Sequence, residues 1–254
     1  MRVEVRGGLY RVRVKLPPSN LLLASDKAEA VAQALTAFTY HRALLEAYVK
    51  RKPEFRFSLE PVEVESYAPE AARLAAEAAL KAGVGPMAAV PGALAQLALK
   101  AMQDCGARTG LVENGGEIAL FSDRPLTIAV YAGKSPISGK IGLAVQPEET
   151  PLGVATSSAT VGHAINFGEA DAAVAVADTA SLADAAAKAA CNAVVGLPEE
   201  GIKNGLRKAL EIPGVRGALI IYGRLLGAAG RLPKLVSLEG RLEEVLKASL
   251  RVRI

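Results

Sequence analysis

Residues 170–194, ADAAVAVADTASLADAAAKAACNAV, restrict what this chain can fold into more than any other stretch. ADAAVAVA reads as a strand of small residues, and SLADAAAKAACNAV has the alanine content of a helix. Side chains this small let two backbones approach closely. The pair of elements therefore reads as tightly packed, either in a monomer core or across a contact between copies. Asp184 and Lys188 interrupt the helix at i and i+4, so they share a face and can pair. Alanine surrounds them almost completely, which makes the pair partly buried. A buried pair loses hydration and is a poor choice for stability alone, so these two residues become a candidate site.

The other bulk properties narrow the class. With 254 residues, 51% of them hydrophobic, the chain can bury a substantial core, and no linker or shift of composition divides 1–254 into more than one domain. The net charge of +4 comes from 30 basic and 26 acidic residues that are interspersed. Aromatics reach 4% and Trp is absent. Neither a basic patch nor an aromatic platform for nucleic acid is present. Cys105 and Cys191 form no CxxC pair and read as buried thiols. MRVEVRGG lacks the apolar stretch of a signal peptide, which leads to a cytoplasmic expectation. The uncharged run 82–99 contains Pro86, Pro91 and Gln96 and reads as a buried helix, not a membrane span.

Alternation around Gly7-Gly8 predicts an N-terminal hairpin. Asp26, with Glu29 three residues on, predicts a capped helix running to about Val49, and FRFSLEPVEV reads as a strand. Two proline-initiated helices, Pro69 to Lys81 and Pro86 to Gln103, precede short β segments: a hairpin turning at Asn114-Gly115, then LTIAVY and IGLAV. After the alanine-rich pair come the amphipathic helix EEGIKNGLRKAL, the strand RGALIIYG and a closing helix LEGRLEEVLKASL. Helices grouped before the sheet and then mixed into it indicate an α+β fold.

Three further stretches carry chemistry. In KAGVGPMAAVPG, Gly83 and Gly85 precede a helix start at Pro86, the arrangement of an anion cradle or of a plain tight turn. VENGGEI places Glu113 and Glu117 on either side of Asn114, Gly115 and Gly116, where exposed backbone can receive a ligand. In ATSSATVGH, the hydroxyls of Thr156, Ser157, Ser158 and Thr160 are followed by Gly162 and His163. Such a loop offers donors to phosphate oxygens and a group titrating near neutrality. His41, beside Tyr40 and Arg42 on a long helix, reads as structural.

AGVGPMAAVPGALA, VENGGEIAL, YAGKSPISGKIGL and the stretch from GVATSSATVGH through ADTASLADAAAKAACNAV occur together and in order. They resemble an uncharacterised archaeal and bacterial family related to ApbE, over roughly residues 10 to 235. Better-known ApbE relatives are magnesium-dependent flavin transferases that cleave the FAD pyrophosphate and attach FMN to a threonine of an acceptor protein. Others hydrolyse FAD to FMN and AMP. The resemblance implies an α+β fold with a mixed or antiparallel sheet packed with helices, and a nucleotide cleft lined by Gly83 to Pro86 and Asn114 to Gly116. It also implies FAD or another nucleotide as the small-molecule partner, His163 near the reacting phosphate and Asp184 as the magnesium ligand.

Departures from the family pattern bear on that site. Lys188 stands where a threonine usually helps bind magnesium, and an ammonium has no lone pair for a metal. It can instead neutralise Asp184 or bind phosphate itself. Ala155 replaces Cys, Ala159 replaces Gly and Glu117 replaces Asp. The leading reading is a protein that binds a flavin or another pyrophosphate-containing nucleotide and cleaves or transfers at the pyrophosphate. In it, Lys188 or a metal on Asp184 offsets charge, backbone near Gly85 and the Ser157 hydroxyl hold oxygens, and His163 moves a proton. The alternative is a non-catalytic nucleotide-binding or protein-interaction module whose metal site is replaced by an Asp184–Lys188 pair. A carrier or structural homo-oligomer built on the alanine faces is a third.

Overall fold

The structure, a computed structural model, describes residues 3–161 and 165–238. The N-terminal alternation forms β1 (Val3–Arg6) and β2 (Leu9–Leu16), paired antiparallel around Gly7 and Gly8, whose φ angles are +57° and +72°. Next is β3 (Ser19–Ser25), which the continuous apolar run LLLA does not announce by alternation because it is buried on both faces.

Helix α1 (Ala28–Arg51) then begins, but Asp26 does not cap it. Lys27 occupies the cap position, and the Asp26 carboxylate instead accepts the backbone N–H groups of Arg108 and Thr109, each at 3.0 Å. A partner 82 residues away outcompetes the local one. FRFSLEPVEV is not a strand either. Pro53–Phe57 forms one helical turn, α2, and the chain beyond it is irregular as far as α3 (Glu70–Ala82). Phe55 is fully buried edge-on against Tyr48, and Pro61 has no N–H to give to a ladder. The single helix expected from Pro86 is divided: Pro86–Ala89 is a 3-10 turn, and α4 (Val90–Asp104) restarts with Pro91 in its first turn, the one place a proline suits. No single described helix is long and apolar enough to cross a membrane.

The remaining elements are β4 (Gly110–Asn114), β5 (Glu117–Phe121), β6 (Leu126–Ala129), β7 (Ile141–Val145), β8 (Leu152–Ser157) and β9 (Ala172–Ala177). They are followed by α5 (Ala180–Ala193), α6 (Pro198–Leu210), β10 (Val215–Tyr222), β11 (Leu225–Gly230) and β12 (Lys234–Ser237). The closing helix expected after Leu238 lies outside the described residues.

A nine-stranded antiparallel sheet runs β1-β2-β3-β4-β5-β8-β9-β10-β11, and a second sheet runs β12-β7-β6. Helices cover one face of the large sheet, where Val112, Ala119, Ala155 and Ala175 meet Phe38, Leu94 and Ala186. On the other face Ile118, Leu120, Val154 and Val176 meet Ile128, Leu143 and Val145 of the small sheet. The α+β expectation holds.

The alanine-rich pair is as tightly packed as its composition demands. Every residue of β9 is buried, and α5 lies against β8 so closely that a Cβ on Gly153 would sit 2.4 Å from the Thr179 carbonyl oxygen. A Cβ on Gly92 would sit 2.3 Å from the Ala180 carbonyl oxygen and 2.9 Å from the Asp184 Cβ. These two glycines bring the first turn of α4 and the strand β8 onto the N-terminal half of α5, and that junction positions the site.

Candidate functional site

Three elements meet at one end of the large sheet. The β4–β5 hairpin turns through Gly115 and Gly116, with φ of +79° and +126°, while Asn114 stays in β4 directly opposite Glu117. Opposite residues share a face, so Asn114 and Glu117 both face the helices. There the Asn114 amide donates to the Pro91 carbonyl at 3.1 Å, fixing the hairpin to the first turn of α4. One residue on, the Gly92 N–H donates to Asp184 Oδ2 at 2.9 Å. An Asp184 carboxyl oxygen thus satisfies one of the free N–H groups at the start of α4.

This cluster concentrates ionisable groups in a poorly hydrated place. Asp184 is 9% exposed, and burial pushes its carboxyl up to about 8, against the lowering effects of the Gly92 N–H and the Lys188 charge. Glu117 is half-buried, yet desolvation, then the nearby Asp184 and Glu113 charges, raise its carboxyl well above the ordinary range. Lys188 is held below the usual lysine value by burial, with Cys191, Asp184 and Glu117 opposing. Around neutral pH the Asp184 carboxyl holds its proton, beside a Glu117 carboxyl that is itself shifted upward by burial.

Asp184 and Lys188 share a helix face as expected, but they are not partners in an ion pair. The Lys188 ammonium donates to the Ile165 carbonyl at 3.0 Å and to Asn166 Oδ1 at 2.9 Å. Asn166 is a hub: Ser157 Oγ donates to its Oδ1 at 3.2 Å, and its Nδ2 donates to the Ser158 carbonyl. Lys188 therefore ties the segment after β8 down onto α5. An ammonium has three donors, and these bonds use two of them.

The hydroxyl cluster separates. Ser157 faces α5, whereas Thr156 is on the opposite face of β8, toward the small sheet. Ser158 Oγ accepts the N–H groups of Thr160 and Val161, and Thr160 Oγ1 donates to Asp171 at 3.0 Å, so both are engaged in shaping the loop. Asp171 also accepts the Gly223 N–H at 2.7 Å, tying this loop to the β10–β11 turn. Gly162 and His163 lie outside the described residues.

Glu113 is on the other face of the sheet, away from Asp184. It is buried there, and its carboxyl is pushed up to about 7 by desolvation, partly offset by Arg13. Gly83 and Gly85 have packing reasons of their own. Gly83 closes α3 in the left-handed conformation at φ +70°, and a Cβ on Gly85 would sit 2.0 Å from the Ser58 carbonyl oxygen. Pro86 opens a 3-10 turn of four residues and is buried.

The donors do not suit magnesium. That ion wants about six oxygens in an octahedron. One Asp184 oxygen is occupied by Gly92, the ammonium of Lys188 repels a cation, and among the described residues no three His, Cys, Asp or Glu side chains are grouped to hold a metal.

Gly92 and Asn166 join the site alongside the residues singled out from sequence, Glu117 among them. Gly92 is hidden in a Pro-Gly dipeptide that reads as part of a helix, and Asn166 is one asparagine in a loop 22 residues before Lys188. Glu117 has the better sequence signal, a carboxylate in an otherwise apolar strand.

Comparison with known proteins places this geometry in a family. A family model described as AbpE bacteria matches residues 2–212. The UPF0280 protein of Methanosarcina acetivorans is 42% identical over 226 residues, covering 89% of this chain and 88% of that protein. The chain belongs to the UPF0280 family. The UPF0280 protein MJ1526 of Methanocaldococcus jannaschii is 40% identical over 236 residues, covering 92% and 96%. Among solved structures, a variant of the flavin transferase ApbE from Vibrio cholerae is similar with a TM-score of 0.56 and 12% identity, over 87% of this chain and 97% of that one. The ApbE protein from Thermotoga maritima gives 0.55 and 13%, over the same shares. The UPF0280 chain thus has the ApbE-like α+β architecture, the fold that the sequence motifs implied.

Proposed function

We propose that this UPF0280 protein binds a flavin nucleotide, or another pyrophosphate-containing nucleotide, between the β4–β5 turn, the first turn of α4 and the segment after β8. The observation that carries this reading is the cluster of Glu117, Asp184 and Lys188. Three ionisable groups are crowded into a desolvated junction without an ion pair between Asp184 and Lys188, which costs stability. The fold shared with a protein named flavin transferase supplies the ligand class.

In this reading Lys188 offers its remaining N–H to a phosphate oxygen, replacing charge compensation by a metal. The protonated Asp184 carboxyl supplies the proton that a departing phosphate oxygen needs, and Glu117, Ser157 and the Gly115–Gly116 backbone border the bound group. Transfer or hydrolysis at the pyrophosphate is the reaction for which these roles are suited. The non-catalytic module is favoured by one observation: Asp184 and Lys188 already have partners inside the protein. Incubation with FAD, with magnesium or with EDTA, followed by chromatographic separation of FAD, FMN and AMP, distinguishes the two. FMN formation that survives EDTA supports the catalytic reading. Binding without product supports the module.

A further inference from the structure

Four apolar side chains are exposed beside this junction: Ile165 (66%), Phe167 (60%), Val195 (49%) and Leu197 (71%). Single exposed apolar residues are ordinary. These four, however, belong to two chain segments bound to one another. The Phe167 N–H donates to Asn192 Oδ1 at 3.1 Å, Glu169 N–H to the Val194 carbonyl at 2.7 Å, and Gly196 N–H to the Glu169 carboxylate at 2.9 Å. A Cβ on Gly168 would sit 1.8 Å from the Cys191 carbonyl oxygen, so residues 165–169 are pressed onto the end of α5 and held in place.

The same segment touches the site. The Ile165 carbonyl accepts from Lys188, and Asn166, between Ile165 and Phe167, holds the ammonium with its side-chain oxygen. Lys188 and Asn192 are one turn apart on α5, about 6 Å along its axis. The segment that holds the ammonium therefore also carries the exposed phenyl ring, with its backbone anchored one turn further along α5. In a chain with 4% aromatic residues and no Trp, an aromatic left exposed next to the asparagine that holds Lys188 offers a stacking surface beside that lysine.

We propose that Phe167, flanked by Ile165, is the platform on which the planar ring of the nucleotide stacks while its phosphates face Lys188. This rests on the nucleotide-binding reading above and adds to it the subsite that selects for a ring. The test uses the purified full chain, Phe167→Ala and Phe167→Tyr. Each is titrated with FAD and riboflavin by fluorescence and with inorganic pyrophosphate by calorimetry, with the mass in solution measured in parallel. Phe167→Ala should weaken FAD and riboflavin about tenfold, Phe167→Tyr should retain both, and pyrophosphate affinity should be unchanged in all three. Unaltered flavin affinity in Phe167→Ala overturns the platform and leaves nucleotide binding intact. A change of oligomeric mass in Phe167→Ala with unaltered flavin affinity also overturns it, and makes the patch a contact between copies. Failure of the wild type to bind FAD or pyrophosphate overturns both proposals.

Discussion

Replacing Asp184 by Asn removes a titrating proton from the junction while keeping the side chain's shape and an oxygen to accept the Gly92 N–H. Burial raises the native carboxyl to about 8 from an ordinary 3.8, so between those values the folded protein holds a proton that the unfolded chain has released. By linkage, stability falls as pH rises through that window, by up to about 1.4 kcal/mol per pH unit for one group. Below 3.8 both states are protonated and the carboxyl contributes no slope. Asp184→Asn should therefore have nearly wild-type stability at pH 4, and should lose about 2 to 3 kcal/mol less than the wild type between pH 5 and 7. Urea denaturation at half-unit pH intervals, with the slope of each transition checked for constancy, measures this directly. Parallel stability curves for the two proteins would refute the conclusion that Asp184 is held protonated by burial.

Gly153→Ala places a methyl 2.4 Å from the Thr179 carbonyl oxygen and 2.5 Å from the Ala180 backbone, so α5 must move away from β8. A loss of about 3 kcal/mol or more in chemical denaturation is expected, and a loss below about 1 would contradict the close approach. Glu113→Gln removes a carboxyl held near 7 on the opposite sheet face, and should stabilise the protein by about 2 to 3 kcal/mol at pH 8 while changing little at pH 4. Asn166→Ala removes the hub between Lys188 and the segment after β8. The Ala159 and Phe167 amides should exchange with deuterium at least about tenfold faster, with β9 unaffected, and equal protection would show that the segment holds without it.

The parts of this fold legible in the sequence are those governed by near neighbours. Alternation gave β1 and β2, Asn-Gly-Gly marked the β4–β5 turn, and the alanine-rich run announced both β9 and α5. Where distant partners decide, local signals pointed elsewhere. Asp26 has the spacing of a capping box, yet two N–H groups just before β4 take its carboxylate. Phe55 and Phe57 alternate as in a strand, but burial of Phe55 against Tyr48 and the proline at position 53 favour a helical turn. The site divides in the same way. The i, i+4 spacing correctly puts Asp184 and Lys188 on one face, but spacing carries no information about the loop that approaches that face. Ile165 and Asn166 supply the lysine's partners, and Gly92 supplies the aspartate's.

The central claim is that Lys188, not a metal, meets the phosphates of a nucleotide at this junction. Titration of FAD by fluorescence anisotropy into the wild type and Lys188→Met, each in EDTA, tests it most directly. The account predicts saturable binding by the wild type that is weakened at least about tenfold in Lys188→Met, a loss of the order expected for one charge-assisted hydrogen bond. Equal affinity of the two proteins, or binding that requires magnesium, would contradict it.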